Sequence, residues 1–204
     1  MRRKTKKSVA AGIAIALSGL ALRAEQRPAR PLRYRIEVAG SSVRWELPAS
    51  FRPILGIVPL FHGFVEADPL SSGAWDVRCR IVVPAASMRT GSQLRDRTLR
   101  EKVLETDRFP EIVFELRRFT GDLSRFRPGE TFSVEVAGDL TVHGKTAPVQ
   151  LPVDVSVFPG AVVLRGSFPV HWKSYGLQDP SFPVVARVNE PMQVDFRLRA
   201  VPSE

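Results

Sequence analysis

An all-β, antiparallel domain of about eight strands, with one short helix, is the fold class this sequence predicts. Three observations carry that expectation. From Tyr34 onward, apolar residues recur at every second position; short turn signals separate these runs; and a single segment breaks the pattern with helical spacing.

The runs come in order along the chain. Val43, Trp45 and Leu47 form an early one, and 60–67 is a second whose facing is ambiguous. Trp75, Val77, Cys79, Ile81 and Val83 then alternate with Asp76, Arg78 and Arg80, and Ile112, Phe114 and Leu116 alternate with Glu111, Glu115 and Arg117. Phe132, Val134, Val136, Gly138, Leu140 and Val142 follow, and after them Val149, Leu151, Val153 and Val155. The last two runs are Val162, Leu164, Gly166, Phe168, Val170 and Trp172, and Val194, Phe196 and Leu198. Because side chains on a strand point alternately to opposite faces, each run has one dry face and one wet face. Turn signals such as Pro128-Gly129, His143-Gly144-Lys145 and Phe158-Pro159-Gly160 are too short for a parallel crossover, so sequence neighbours run antiparallel.

The exception is 92–104. Leu94, Leu99, Val103 and Leu104 stand among Arg95, Asp96, Arg97, Arg100, Glu101 and Lys102, the signature of a short amphipathic helix stopped before Pro110. One helix is too little to cover a sheet, but it can lid one end of a barrel. Arg95 and Asp96 have two readings, a gate at the mouth or ordinary charges on an exposed helix face, and the second is preferred. Strands with one apolar face close into a barrel or pair as a sandwich, and both solutions bury the same residues. Pro148, Pro152 and Pro169 fall inside strand-like runs, which implies bulges or exposed edges and argues against a perfectly continuous barrel.

The chain divides into three parts. Residues 1–24 read as a signal peptide: a basic leader to Lys7, an uncharged apolar run, and small residues at a cleavage site. An uncleaved anchor is the alternative. Residues 25–33 form an Arg/Pro-rich linker, and 34–200 form the domain. The net charge of +9 is concentrated at the front, where Arg2, Arg3, Lys4, Lys6, Lys7 and Arg23 meet no acid; what remains is 24 basic against 21 acidic residues. That balance, with no basic stripe interleaved with aromatics, argues against nucleic-acid binding. Cys79 is the sole cysteine, so the domain has no internal disulfide, and its apolar register marks a small buried residue rather than a reactive thiol.

Enzyme signatures are missing. His62, His143 and His171 stand in unrelated registers, which argues against a metal site. No glycine-x-serine-x-glycine elbow or phosphate loop occurs, and Glu111 and Glu115 share a face that reads as solvent. No catalytic residue and no cofactor is therefore assigned.

Three motifs carry a family resemblance. Ser87-Met88-Arg89-Thr90, Arg95-Asp96, Leu99-Arg100 and Asp107-Arg108-Phe109-Pro110-Glu111-Ile112 with Phe114 form the first; Gly138-Asp139-Leu140-Thr141-Val142-His143-Gly144-Lys145-Thr146 the second; Ser174-Tyr175-Gly176-Leu177 the third. In order and spacing they resemble the YceI-like family of exported lipid-binding proteins, over about Tyr34 to Leu198. One departure stands out: Gly56-Ile57-Val58-Pro59-Leu60-Phe61-His62-Gly63-Phe64 is bulkier than the glycine-rich strand of many relatives.

The resemblance implies a lipocalin-like antiparallel barrel holding a polyisoprenoid or similar long-chain lipid, in a periplasmic or secreted protein that is not an enzyme. The ligand contacts then expected are the inward-register Trp75, Val77, Ile81, Phe114, Leu116, Val136, Leu140, Val153, Leu164, Phe168 and Phe196, with Leu94, Leu99 and Phe109 at the lid. Transient membrane contact is expected, and a homodimer is left open. The alternative is an interaction module with a filled core, meeting a protein partner through Trp172, Phe182 and the linker.

Overall fold

The computed structural model describes residues 30–179 and 187–203. The predicted signal peptide, most of the linker and Phe182 lie outside them. The described residues form nine strands: β1 Leu32–Leu47, β2 Ile54–Ile57, β3 His62–Pro69, β4 Trp75–Pro84, β5 Glu111–Thr120, β6 Thr131–Val142, β7 Lys145–Phe158, β8 Ala161–Val170 and β9 Met192–Pro202. Pairing is antiparallel throughout, in the order β1-β3-β4-β5-β6-β7-β8-β9, and β9 returns to pair with β1. Eight strands thus close a barrel, and the short β2 is added against the last four residues of β1. Strand pairing begins at Leu32, inside the stretch expected to be linker.

Closure depends on β1, the longest strand, which bends to serve both edges of the sheet. Its register against β9 jumps between Glu37 and Ser42, where a bulge centred on Gly40 (φ +80°) lets the strand turn sharply. The bulge keeps its hydrogen bonds by substitution: Arg199 N–H donates to Ser41 Oγ at 2.7 Å, and the Arg197 guanidinium donates to the Gly40 carbonyl.

The outer face is laced by charge. Arg33 and Arg78 both reach Asp68 (2.6 and 2.9 Å), Arg78 also reaches Glu66, Arg80 pairs with Glu115, and Arg117 pairs with Asp139. Exposed pairs of this kind contribute little each. What they do is absorb Arg33 of β1, Arg78 and Arg80 of β4 and Arg117 of β5.

The three prolines find their explanation in a parted seam. β7 and β8 pair only over Val153–Phe158 and Ala161–Gly166. Pro148 and Pro152 lie on the unpaired half of β7 and Pro169 on the unpaired half of β8, where a missing N–H deletes no bond between them. A turn of 3-10 helix, Trp172–Tyr175, packs beside β7 there. The β1–β3 ladder is likewise short, Leu32–Arg35 against Phe64–Ala67, with β2 taking the other end of that edge. Both seams part at the end of the barrel where β4 leads into the helix.

That helix is the expected lid. α1, Gln93–Thr98, runs on through a π-helical turn, Leu99–Val103. Asp96 corrects the expectation of exposed charges: it is only 7% exposed, and one carboxylate oxygen accepts from Thr90 N–H (2.7 Å) and Thr90 Oγ1 (2.6 Å). Arg95 donates to the same threonine's hydroxyl and carbonyl at 3.3 and 3.2 Å. The Arg-Asp pair fastens the helix to the loop before it, which leaves neither side chain as a free surface charge. At the far end of the lid, Glu105 accepts from Arg108 and meets His143 Nε2 at 3.1 Å, while the Phe109 ring stacks on that imidazole at 4.3 Å. The hydrogen bonds from Arg108 and with His143 hold the Glu105 carboxyl below the ordinary glutamate range.

Replacing Asp96 with alanine leaves two Thr90 donors unpartnered and should cost about 2–3 kcal/mol in urea unfolding. A loss below about 0.5 kcal/mol would show that the lid does not need this anchor.

Candidate functional site

The inner faces of the eight barrel strands do not meet in the middle. They enclose a cavity of about 330 Å³, within the size range of small-molecule sites. Side chains facing a filled interior are buried, yet Val77, Ile81, Phe114, Leu116, Val136, Phe168 and Phe196, which all face inward, are only half-buried. Their remaining surface looks into the void. At the opposite end from the lid, Phe132, Val134, Val155, Val157, Val162, Leu198 and Ala200 are fully buried and pack into a floor.

The lining has no carboxylate, amine, guanidinium or imidazole. Among the described residues its heteroatoms are those of Tyr34, Trp45, Cys79, Met88, Trp172, Tyr175 and Met192. Burial raises the Tyr175 phenol to about 12, so it stays neutral. The indole N–H of Trp172 is taken by the Asn189 carbonyl at 3.4 Å, and that of Trp45 is buried with no partner. Such a site can hold a neutral apolar body and offers an ion nothing. Among the described residues no His, Cys, Asp and Glu cluster could hold a metal.

Of the fourteen residues expected at the ligand, eleven line the cavity: Val77, Ile81, Leu99, Phe114, Leu116, Val136, Leu140, Val153, Leu164, Phe168 and Phe196. Three lie elsewhere. Trp75 is the first residue of β4, opposite Pro69, one inward position short of where the lining begins at Val77. Leu94 is 73% exposed, because five residues of helix at 100° each turn it well away from Leu99, which faces in. Phe109 stacks on His143 and lies against Gly144, serving the latch instead. Trp172, expected at a partner surface if the core were filled, is buried and lines the cavity.

Sequence reasoning missed Val58, Phe61, Met88, Tyr175 and Leu177 as lining. They sit in the loops at the lid end, where no period marks the inward side.

Glycines keep the void open. Trp45 lies across Gly56, Phe114 across Gly138 and Phe196 across Gly166, so that a Cβ at any of these glycines would overlap the ring. Each ring therefore lies flat on the wall instead of projecting into the space. Gly166→Ala should drive the Phe196 ring off the wall, costing about 1–3 kcal/mol and shrinking the cavity. A crystal structure of the variant with the ring unmoved would contradict this.

Cys79 lines the cavity from β4, and burial pushes its thiol up to about 12. A thiolate is the reactive species, so maleimide at pH 7.5 should leave Cys79 unlabelled in the native protein and label it fully in denaturant. Rapid native labelling would mean that water enters the barrel freely.

Three solved structures share this architecture. Burkholderia cenocepacia BcnA superposes with a TM-score of 0.68 at 20% identity, covering 81% of this chain and 99% of its own. A polyisoprenoid binding domain from Saccharophagus degradans, implicated in plant cell wall breakdown, gives 0.69 at 15% identity, covering 84% and 99%. The Campylobacter jejuni YceI protein gives 0.61 at 12% identity, covering 76% and 88%. At these identities the likeness speaks for the fold alone. No curated protein matches the chain by sequence. The sequence profile of the YceI-like domain matches residues 34–200, which span the whole barrel and all three motifs. The chain belongs to the YceI-like family.

Proposed function

We propose that this protein is an exported carrier that takes a long-chain apolar molecule, a polyisoprenoid or a similar lipid, into its barrel. The observation that carries the proposal is the cavity: about 330 Å³ of space walled only by apolar and aromatic side chains. At ~24 cal/mol per Å³, a void of that size forfeits on the order of 8 kcal/mol against a filled interior. Such a cost rivals the whole stability of an ordinary domain. An occupant that restores those contacts explains why the space is kept.

The lining chooses among occupants. With no charged group and no free hydrogen-bonding acid or base, it selects length and shape, and a polar headgroup gains nothing by entering. Each buried methylene gains ~0.8 kcal/mol relative to water, so a few isoprene units supply ample affinity. Against a bilayer that gain nearly vanishes, which makes exchange with membranes by partition the natural mode and favours carriage over storage. The polyisoprenoid binding named for the Saccharophagus degradans relative supports the same ligand class here. Export rests on the basic leader and apolar run of residues 1–24. A lining made of aliphatic and aromatic side chains is suited to holding an apolar body, which supports binding as the role of the site.

Organic extraction of the purified protein, followed by mass spectrometry, should release a long-chain apolar molecule at near one per barrel. Val136→Trp, which fills the space, should reduce uptake of a fluorescent lipid probe at least tenfold with the sheet signal in circular dichroism unchanged. An empty extract together with no probe uptake by the unaltered protein would end the carrier reading.

A further inference from the structure

Two segments at the lid end carry apolar side chains outward as well as inward. In 51–61, Ile54, Val58 and Phe61 turn inward, the latter two onto the cavity, while Phe51 (86% exposed), Leu55 (61%), Ile57 and Leu60 turn to solvent. On the lid, Leu99 and Val103 line the cavity while Leu94 points out. The two segments are joined directly, because Ile57 and Arg89 exchange backbone hydrogen bonds at 2.8 and 3.0 Å, just ahead of the lid. Nothing in the barrel's own packing requires the outward set. A bulky Leu or Ile on the wet face of a short edge strand is a liability unless something covers it.

The charges around this patch say what covers it. Arg44 stands opposite Ile57 in the β1–β2 ladder, Arg89 is bridged to it, and Arg52 follows Phe51. All three are exposed, and none takes part in an ion pair among the described residues, unlike Arg33, Arg78 and Arg80 on the barrel's flank. Glu46, opposite Leu55, is the one acid on the outer face of this hairpin. The Arg89 guanidinium donates to the Ala86 and Met88 carbonyls at 2.8 and 3.0 Å, which holds it at this edge with its charge unneutralised. Apolar tips interleaved with guanidinium groups that no carboxylate neutralises match an anionic lipid surface: the tips enter the acyl boundary and the arginines meet the headgroups. Among the described residues no helix is long and apolar enough to cross a bilayer, so this would be attachment at the surface.

We propose that the outer face of 51–60, together with Leu94, is a docking surface for anionic membranes that sets the lid end of the barrel against the bilayer. The inference rests on the carrier reading and adds to it the place of exchange. Ligand passing between the bilayer and the cavity there would cross only β2, its flanking loops and the lid, with apolar side chains of 51–61 on both sides of the crossing.

The test uses the protein as recovered from the expressing cell, with every variant carrying the same N-terminus. Phe51→Cys and Phe158→Cys, the latter an exposed site on the hairpin at the opposite end, are each labelled with an environment-sensitive dye. On phosphatidylglycerol vesicles the dye at 51 should shift to the blue and the dye at 158 should not, with little response from either on phosphatidylcholine. Phe51→Ser/Leu55→Ser should sediment with phosphatidylglycerol vesicles at least tenfold less tightly while yielding the same extractable apolar molecule. A dye at 51 that stays in water, an equal shift at 158, or unchanged sedimentation of the double variant would each overturn the proposal. So would a double variant that turns a dimer into a monomer with vesicle binding unaffected, since a second copy would then be what covers the patch. Docking through residue 51 by a barrel that yields no apolar molecule would refute the carrier reading alone, and a loaded barrel that does not dock would refute this one alone.

Discussion

Everything else in the molecule depends on the pairing of β1 with β9. Once the last strand bonds to the first, the sheet closes, and outside the two parted seams its backbone groups are satisfied within the wall. An open sheet must bury its apolar face against a second layer. A closed one already curves that face onto itself, so the wall can stand with the middle unfilled. The bulge at Gly40 interrupts the β1–β9 ladder at the point where β3 has left the other edge of β1 and before β2 takes it up. Ser41 and Arg197 then repair the hydrogen bonds that the bulge disrupts.

The two ends of the tube are built on different terms. At the floor, the hairpins β3–β4 and β7–β8 run in full register and the apolar side chains of β6–β9 pack to burial. At the lid end two ladders part, β1 from β3 and β7 from β8, and the gaps are occupied by β2, the 3-10 turn at Trp172 and the lid. What holds these pieces is a handful of contacts: the side chains Asp96 on Thr90 and Glu105 on His143, and the isolated backbone bridges Ile57–Arg89 and Ala49–Val188. Opening the floor means breaking continuous ladder, whereas opening the lid end means breaking these few contacts and the four-residue β1–β2 ladder. Local opening concentrates where the backbone bonds are fewest.

The barrel wall was legible in the sequence because a strand with one dry face repeats every two residues, and the repeat survives in any register. That is why Val77 through Phe196 fall on the lining. What it could not carry is anything set by a non-local partner. Asp96 reads as a solvent charge because nothing in the sequence places Thr90 beneath it. Trp75 continues the inward alternation past the point where the cavity stops. Leu94 is different: its helical angle from Leu99 was available in the sequence, and composition obscured it. The 51–61 segment was ambiguous for a physical reason, since apolar residues face both ways there and a period vanishes when both phases are occupied.

The glycines show how the wall and the void are coupled. Gly138 and Gly166 stand in the inward register, where a larger residue would add burial, and instead each carries an aromatic ring lying flat upon it. The arrangement gives up one side chain's worth of contact and gains a smooth, ring-faced wall with room beside it. A side chain at Gly138 or Gly166 would collide with the ring and crowd a carbonyl of the neighbouring strand, that of Glu115 or Pro152, so neither position can be filled without moving the ring off the wall. The same arrangement appears at Gly56, where Trp45 is laid against the wall even though its indole N–H is left without a partner. At all three positions the ring takes the place of a side chain, and the volume beside it stays clear.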